Sequence, residues 1–212
     1  MDGFFVPKGV THIVGIDEAG RGPLAGPVAV GSVVVPVRLL HGIIVSMFAD
    51  VKESKQLSSA QREIWLKKLL TEKKNGMLDY RCAFSSERII DREGIVFAIR
   101  KAITRTLSGL SVDPNSTLIL LDGGLKAPAY FPFQKTIIRG DETEMLIALA
   151  SIVAKVTRDR KMVRLAKRYP EYGFDRHKGY GTRLHFERIA QNDLCPLHRT
   201  SFLKNFMNER HQ

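Results

Sequence analysis

The apolar positions change their period along the chain. Residues His12 to Asp17, Val28 to Val35 and Ile43 to Ala49 are rich in Val and Ile and punctuated by Gly and Pro. That pattern predicts three strands in a β-meander, with Pro36 separating two of them. From Ser58 to about Lys74 the spacing becomes helical, with Ile64, Trp65, Leu69 and Leu70 as the apolar face and Gln61 as the capping-box partner of Ser58. Met77 to Phe84 predicts another strand, and Ser86 to Leu107 a helix burying Ile89, Ile90, Ile95, Ala98, Ile99 and Ile103 despite Gly94. Thr117 to Leu121 is short and apolar, ends at Asp122 and meets the breaker Gly123-Gly124, as expected of a buried strand entering a loop. A strand around Phe133 to Ile138 and a long helix from about Glu142 to Arg168 follow. Strands first and β/α alternation afterwards predict an α/β domain with a mixed sheet.

After Pro170 the pattern gives way to EYGFDRHKGYGT, which interleaves aromatic, basic and Gly residues, and then to short helical pieces. About 40 residues rarely support a core of their own, so residues 171–212 are expected to be a basic loop and small helical appendage packed on a core of residues 1–170. No apolar stretch predicts a membrane span, because the segment from Gly22 to Val37 is broken by Pro23, Pro27 and Pro36. Cys82 and Cys195 are too few for a disulfide framework and lack CxxC spacing, which fits a reducing, cytoplasmic setting.

Charge changes the picture. The 212 residues carry 33 Lys and Arg against 22 Asp and Glu, a net charge of +11, which points to a polyanionic partner. Residues 154–212 hold 14 of the basic and six of the acidic side chains, so the binding surface is expected in the C-terminal part.

Against this basic background four acids stand at the ends of predicted elements. Asp17 and Glu18 follow the first strand, Asp122 ends a central one, and Asp141 precedes the long helix. Packed carboxylates are costly to bury without a cation. Hard oxygen donors suit Mg²⁺ or Mn²⁺, and two such ions about 4 Å apart serve phosphoryl displacement. No His pair or Cys set has zinc-site spacing. Gly20, Arg21 and Gly22 offer backbone N–H groups and a guanidinium suited to a phosphate or sugar edge. Taken singly, three of these acids have plainer roles: Asp141 with Glu144 matches a capping box, Asp122 a turn, and Glu18 a partner of Arg21, while Asp159 suits a helix-surface ion pair.

GIDEAGRGPLAGPV at 15–28, ESKQLS at 53–58, LLDG at 120–123, ASIVAKVTRDR at 150–160, HKGYGT at 177–182 and HRTSF at 198–202 together resemble ribonuclease HII, the bacterial type 2 ribonuclease H. The resemblance implies a ribonuclease H-like mixed β-sheet flanked by helices. It implies a metal-binding catalytic set at Asp17, Glu18, Asp122 and Asp141, holding two divalent ions, Mn²⁺ or Mg²⁺. It gives Gly20, Arg21 and Gly22 to the ribose 2′-hydroxyl at an RNA-to-DNA junction, Tyr180 to the same sugar, and Ser54, Lys55 and Lys155 to phosphates. For Tyr180 a core-packing turn, and for the lysines a solvated face, are the competing local readings.

The implied activity is endonucleolytic hydrolysis of the RNA strand of RNA/DNA hybrids and nicking of DNA 5′ of embedded ribonucleotides, leaving 3′-hydroxyl and 5′-phosphate ends. A monomer acting on nucleic acid is expected, and a contact of the tail with a replication clamp or polymerase stays open. The chain departs from the family at Glu53, commonly Asp, and at Gly124, commonly Asn. Arg21 and the short N-terminus favour ribonuclease HII over ribonuclease HIII, which carries Thr in that loop and an added N-terminal domain. Two rivals differ in chemistry: a non-catalytic nucleic-acid binder, which gains nothing from carboxylates facing phosphate, and a ribonuclease H-like nuclease or integrase acting on DNA alone.

Overall fold

The computed structural model describes residues 5–48, 51 and 57–209. Five strands, β1 (His12–Ala19), β2 (Val28–Pro36), β3 (Asp79–Ser85), β4 (Thr117–Asp122) and β5 (Phe133–Ile137), form one mixed sheet in the order β3-β2-β1-β4-β5. The first three pair antiparallel, while β4 runs parallel to β1 and β5 parallel to β4. The helices are α1 (Ser59–Lys74), α2 (Glu87–Glu93), α3 (Ile95–Ser108), α4 (Met145–Ala166), α5 (Arg183–Asn192) and α6 (Lys204–Glu209), joined by several single turns.

Side chains alternate across a strand, so each strand feeds two cores. Ile13, Val33, Val35, Leu118 and Leu120 pack under α4 with Leu66 and Leu69 of α1. Val14, Ile16, Val30, Ile119 and Leu121 face Ile90 of α2 and Ala98, Ile99 and Ile103 of α3 on the other side. A third cluster joins Ala25, Met162 and Ala166 to Tyr172, Phe174 and Leu197, so the C-terminal segment shares its core with the end of α4.

Four expectations are corrected. The run from Ile43 is not a strand; Val37–Leu39, Leu40–Ile44 and Val45–Met47 are consecutive helical turns. Leu40, Ile44 and Phe48 are buried at four-residue intervals, so burial along a helical face overrides the strand preference of the β-branched residues between them. The helix from Ser86 divides at Gly94, whose φ of +84° ends α2 and starts α3. The long helix begins at Met145, after a separate turn at Gly140–Thr143. On α1 the buried pair is Leu66 and Leu69, while Ile64 is 65% exposed and Leu70 is also exposed. The capping box at Ser58 and Gln61 is formed as expected.

The approach of α4 to the sheet is unusually close because Gly15 of β1 and Gly31 of β2 lie beneath it. A Cβ on Gly15 would stand 2.3 Å from the Leu146 carbonyl, and one on Gly31 2.2 Å from the Ala150 oxygen. Backbone on both sides leaves neither position room to yield. Gly15→Ala is therefore expected to cost at least about 1–3 kcal/mol in urea denaturation. Gly124→Ala, where an added methyl meets nothing within 4 Å, should stay within about 0.5 kcal/mol.

Candidate active site

The face that carries Ile13 and Gly15 also carries Asp17, two residues on, and alternation likewise puts Leu118, Leu120 and Asp122 on the α4 side. In the parallel β1–β4 register Ile16 stands opposite Leu121, so the next step sets Asp17 beside Asp122 at the carboxyl ends of adjacent strands. On its other flank Asp17 pairs with Gly31. Asp17 is 5% exposed. Burial pushes its carboxyl well above the usual carboxylate range, Glu18 and Asp122 add to the rise, and a hydrogen bond with the Ser151 hydroxyl opposes it.

Glu18 is also raised by burial, against the pull of Arg21, with Asp122 adding to the rise. Its Oε1 accepts from Arg21 Nε at 3.0 Å, so the plain local pairing is present. Asp122 Oδ1 accepts the Gly140 N–H at 2.7 Å, which ties the end of β4 to the turn bearing buried Asp141. The capping box expected of Asp141 does not form: Asp141 lies inside that turn, and Glu144 takes the N-cap of α4 without a side-chain cap bond.

Beside these acids opens a cavity of about 400 Å³ lined by Glu18, Ala19, Gly20, Arg21, Gly22, Arg62, Ser151, Ile152, Lys155 and Tyr180. It gathers the predicted Gly-Arg-Gly loop, Lys155 and Tyr180 on one surface. Tyr180 is 39% exposed, with Lys155 Nζ 5.3 Å and the Arg158 guanidinium 5.7 Å from its ring centre, so it is no buried turn aromatic. Lys155 also pairs with Asp159 at 3.1 Å, which gives Asp159 the ion-pair role read for it. Ser54 and Lys55, like Glu53, lie outside the described residues.

The residue reading missed Arg62 and Ser151 as cavity residues, and it missed what holds the loops. Arg158 is fully buried and donates to the carbonyls of Pro27, Lys178 and Ala25 at 2.9, 3.1 and 3.3 Å. It packs so tightly on Gly20 (φ +91°) that a Cβ there would lie 2.0 Å from its Nε. Behind Tyr180 lie three buried histidines, His185 hydrogen-bonded to His198 and stacked on His177 with ring centres 4.2 Å apart. His198 Nδ1 accepts from the Cys195 N–H at 2.9 Å, leaving its Nε2–H to donate to His185 Nε2 at 3.1 Å. His185 Nδ1–H then donates to the Tyr180 carbonyl at 2.9 Å. His177 accepts the Gly179 N–H and donates to the Tyr172 carbonyl. One proton per ring satisfies all three. Burial pushes His185 and His198 down to about 4, with His177 adding to both. The strings HKGYGT and HRTSF already contained His177 and His198, but separations of eight and 13 residues from His185 give no local sign of contact.

Acids on adjacent strand ends at the margin of a cation-lined groove, on a mixed sheet of this order, define a ribonuclease H-like α/β nuclease. The ribonuclease HII family model matches residues 14–205, and the chain belongs to that family, hydrolytic nucleases with endoribonuclease activity on RNA/DNA hybrids. It is 43% identical to the ribonuclease HII of Ruminiclostridium cellulolyticum over 95% of this chain and 74% of that protein. The crystal structure of ribonuclease H2 from Pyrococcus horikoshii OT3 superposes with a TM-score of 0.69 at 28% identity, over 90% of this chain and 93% of that one. Bst-RNase HIII in complex with Mn²⁺ shares the fold at 16% identity and a TM-score of 0.60, over 87% of this chain and 62% of that one.

The histidine cluster carries a pH signature. Because the folded state lowers these pKa values, the neutral rings' contribution is fully present above the ordinary histidine value near 6.5 and is lost as pH falls toward about 4. At pH 5 the loss is about 2 kcal/mol for one such histidine. The melting temperature should therefore drop between pH 7 and pH 5. His198→Gln, which can donate to His185 but takes up no proton, should drop less; equal slopes would remove His198 from the effect.

Proposed function

We propose that this chain hydrolyses the RNA strand of RNA/DNA hybrids and also nicks duplex DNA on the 5′ side of an embedded ribonucleotide, leaving 3′-hydroxyl and 5′-phosphate ends. The observation that carries the proposal is the position of the acids beside the loop. Asp17, Glu18 and Asp122 lie at the carboxyl ends of the interior strands β1 and β4, Asp141 sits in the turn tied to Asp122, and the cavity beside Glu18 is lined by Gly20, Arg21, Gly22, Lys155 and Tyr180.

The donor set fits two divalent ions, Mn²⁺ or Mg²⁺. Asp17 and Glu18 are carboxylates raised by burial and by neighbouring acids, a cost that a bound cation offsets. Among the described residues no three His, Cys, Asp or Glu side chains close into a single cage. An open array suits Mg²⁺-type sites, which take one or two carboxylates and complete their shell with water and substrate phosphate. The Mn²⁺ complex of Bst-RNase HIII supports the same choice of ion. When bound, such ions lower the pKa of the attacking water and stabilise charge on the leaving 3′-oxygen.

The chain's own residues do the rest. The four carboxylates hold the ions, and Ser151 keeps the Asp17 carboxyl oriented. Lys155, with Ser54 and Lys55 from outside the described residues, takes phosphates. The Gly20–Gly22 loop and Tyr180 read the ribose, whose 2′-hydroxyl is the group that separates RNA from DNA at one nucleotide. Cys82 and Cys195 are free thiols, a state that a reducing compartment such as the cytoplasm maintains.

Asp122→Asn should lower cleavage of a duplex with one ribonucleotide by about 100-fold or more. Its Oδ1 can still accept the Gly140 N–H, so the fold and hybrid binding should persist. Near-normal turnover at saturating Mg²⁺ or Mn²⁺ would take Asp122 out of the mechanism.

Tyr180→Ala should reduce single-turnover cleavage at that ribonucleotide far more than it reduces hybrid affinity, because phosphate contacts supply most of the affinity. A proportional fall in both would make Tyr180 a general binding residue. Equal cleavage of the matched all-DNA duplex by the native protein would overturn the proposed specificity.

A further inference from the structure

Arg199 is fully buried and has no ion-pair partner among the described residues. Its guanidinium donates four hydrogen bonds to three carbonyls of the loop before β2. Nη2 reaches the Gly20 oxygen at 2.7 Å and the Gly26 oxygen at 2.8 Å, Nη1 the Arg21 oxygen at 2.9 Å, and Nε the Gly26 oxygen at 2.9 Å.

The residue is itself anchored on both sides. Its own N–H donates to the Leu24 carbonyl at 2.7 Å, and the Gly26 N–H returns to Leu197 at 2.8 Å. One step on, the Asp91 carboxylate of α2 accepts the N–H groups of Thr200 and Ser201 at 2.9 and 3.0 Å, and both hydroxyls.

Every described peptide is trans, so carbonyl and N–H point in opposite directions across each plane. The Gly20 carbonyl shares its peptide with the Arg21 N–H, and the Arg21 carbonyl shares its own with the Gly22 N–H. Turning both oxygens back onto Arg199 turns both N–H groups outward, at residues that line the cavity beside Glu18 and Tyr180. Among the described residues neither N–H has an acceptor. A guanidinium on the carbonyl side also polarises each peptide and strengthens its N–H as a donor.

We propose that Arg199 is a positioning residue for ribose recognition: it sets the Gly20–Gly22 peptides from behind so that the Arg21 and Gly22 N–H groups present a paired donor to the ribonucleotide at the cleavage site. This rests on the reading of that loop as the ribose-recognition element. A lysine there keeps the charge but lacks the planar fork that spans Gly20, Arg21 and Gly26.

The test uses Arg199→Lys and Arg199→Gln beside the native protein, with circular dichroism and melting curves as controls. Binding is measured with Ca²⁺ in place of Mg²⁺ to three matched duplexes: all-DNA, one ribonucleotide, and an RNA/DNA hybrid. Single-turnover cleavage is followed in Mg²⁺. Folded variants are expected to lose about 10-fold or more in cleavage at the single ribonucleotide, and to bind the ribonucleotide duplex no better than all-DNA. Their all-DNA affinity and its salt dependence should be unchanged.

Undiminished discrimination in folded variants overturns the role of Arg199. A native protein that does not discriminate overturns the underlying reading of the loop, and the role with it. If neither variant folds, amide exchange in the native protein decides. The Arg21 and Gly22 amides should exchange freely alone and become protected by the ribonucleotide duplex but not by all-DNA, and absence of that difference overturns the proposal.

Discussion

The rest of the molecule depends on how closely α4 lies on the sheet. Gly15 and Gly31 allow the helix backbone at Leu146 and Ala150 to sit almost directly on β1 and β2. From that seat one helix reaches four separate features. Ser151 meets the Asp17 carboxyl, Lys155 reaches the cavity and Tyr180, Arg158 binds the carbonyls of the loop after β1, and Met162 enters the C-terminal core. These positions recur at spacings of three and four residues, so they share one face. A methyl group at either glycine would lift that face away from the acids as well as from the core.

Charge is distributed in an unusual way about this helix. Two carboxyl groups at the strand ends are driven toward their neutral forms by burial and mutual repulsion. A few residues away, Arg158 and Arg199 are buried with backbone carbonyls as their partners. Burial lowers both guanidinium pKa values, Arg199 to about 9, and Arg158 is a second cause at Arg199. Each arrangement costs stability by itself.

The C-terminal segment supplies much of that backing. Leu197 and Arg199 exchange main-chain hydrogen bonds with Gly26 and Leu24, and Gly179 accepts from Leu24 and Ala25. The neutral histidine cluster then locks the Gly179–Tyr180 backbone from below. Its basic composition suggested a surface for phosphate, yet Arg158 and Arg199 spend their charge on protein carbonyls. Net charge measures the pull on a polyanion without saying which cations face it.

Read alone, the residues placed strands at His12–Asp17, Val28–Val35 and Thr117–Leu121, within a few residues of β1, β2 and β4, and gave the capped start of α1 and the resemblance that named the four acids. Alternation, capping chemistry and contiguous motifs are local, and local signals survive in a string of residues. Where burial competed with propensity, local reading failed: Leu40, Ile44 and Phe48 made a helical face from a run that looked like a strand, and Gly94 split a periodic helix in two. That Asp17 adjoins Asp122 emerges from folding alone, because the β1–β4 register joins residues 105 apart. Folding likewise brings Arg199 to the Gly20 carbonyl 179 residues away and sets His185 and His198 to share a proton bridge. Burial and hydrogen-bond partnership across such distances are properties of the packed chain, and no short-range pattern encodes them.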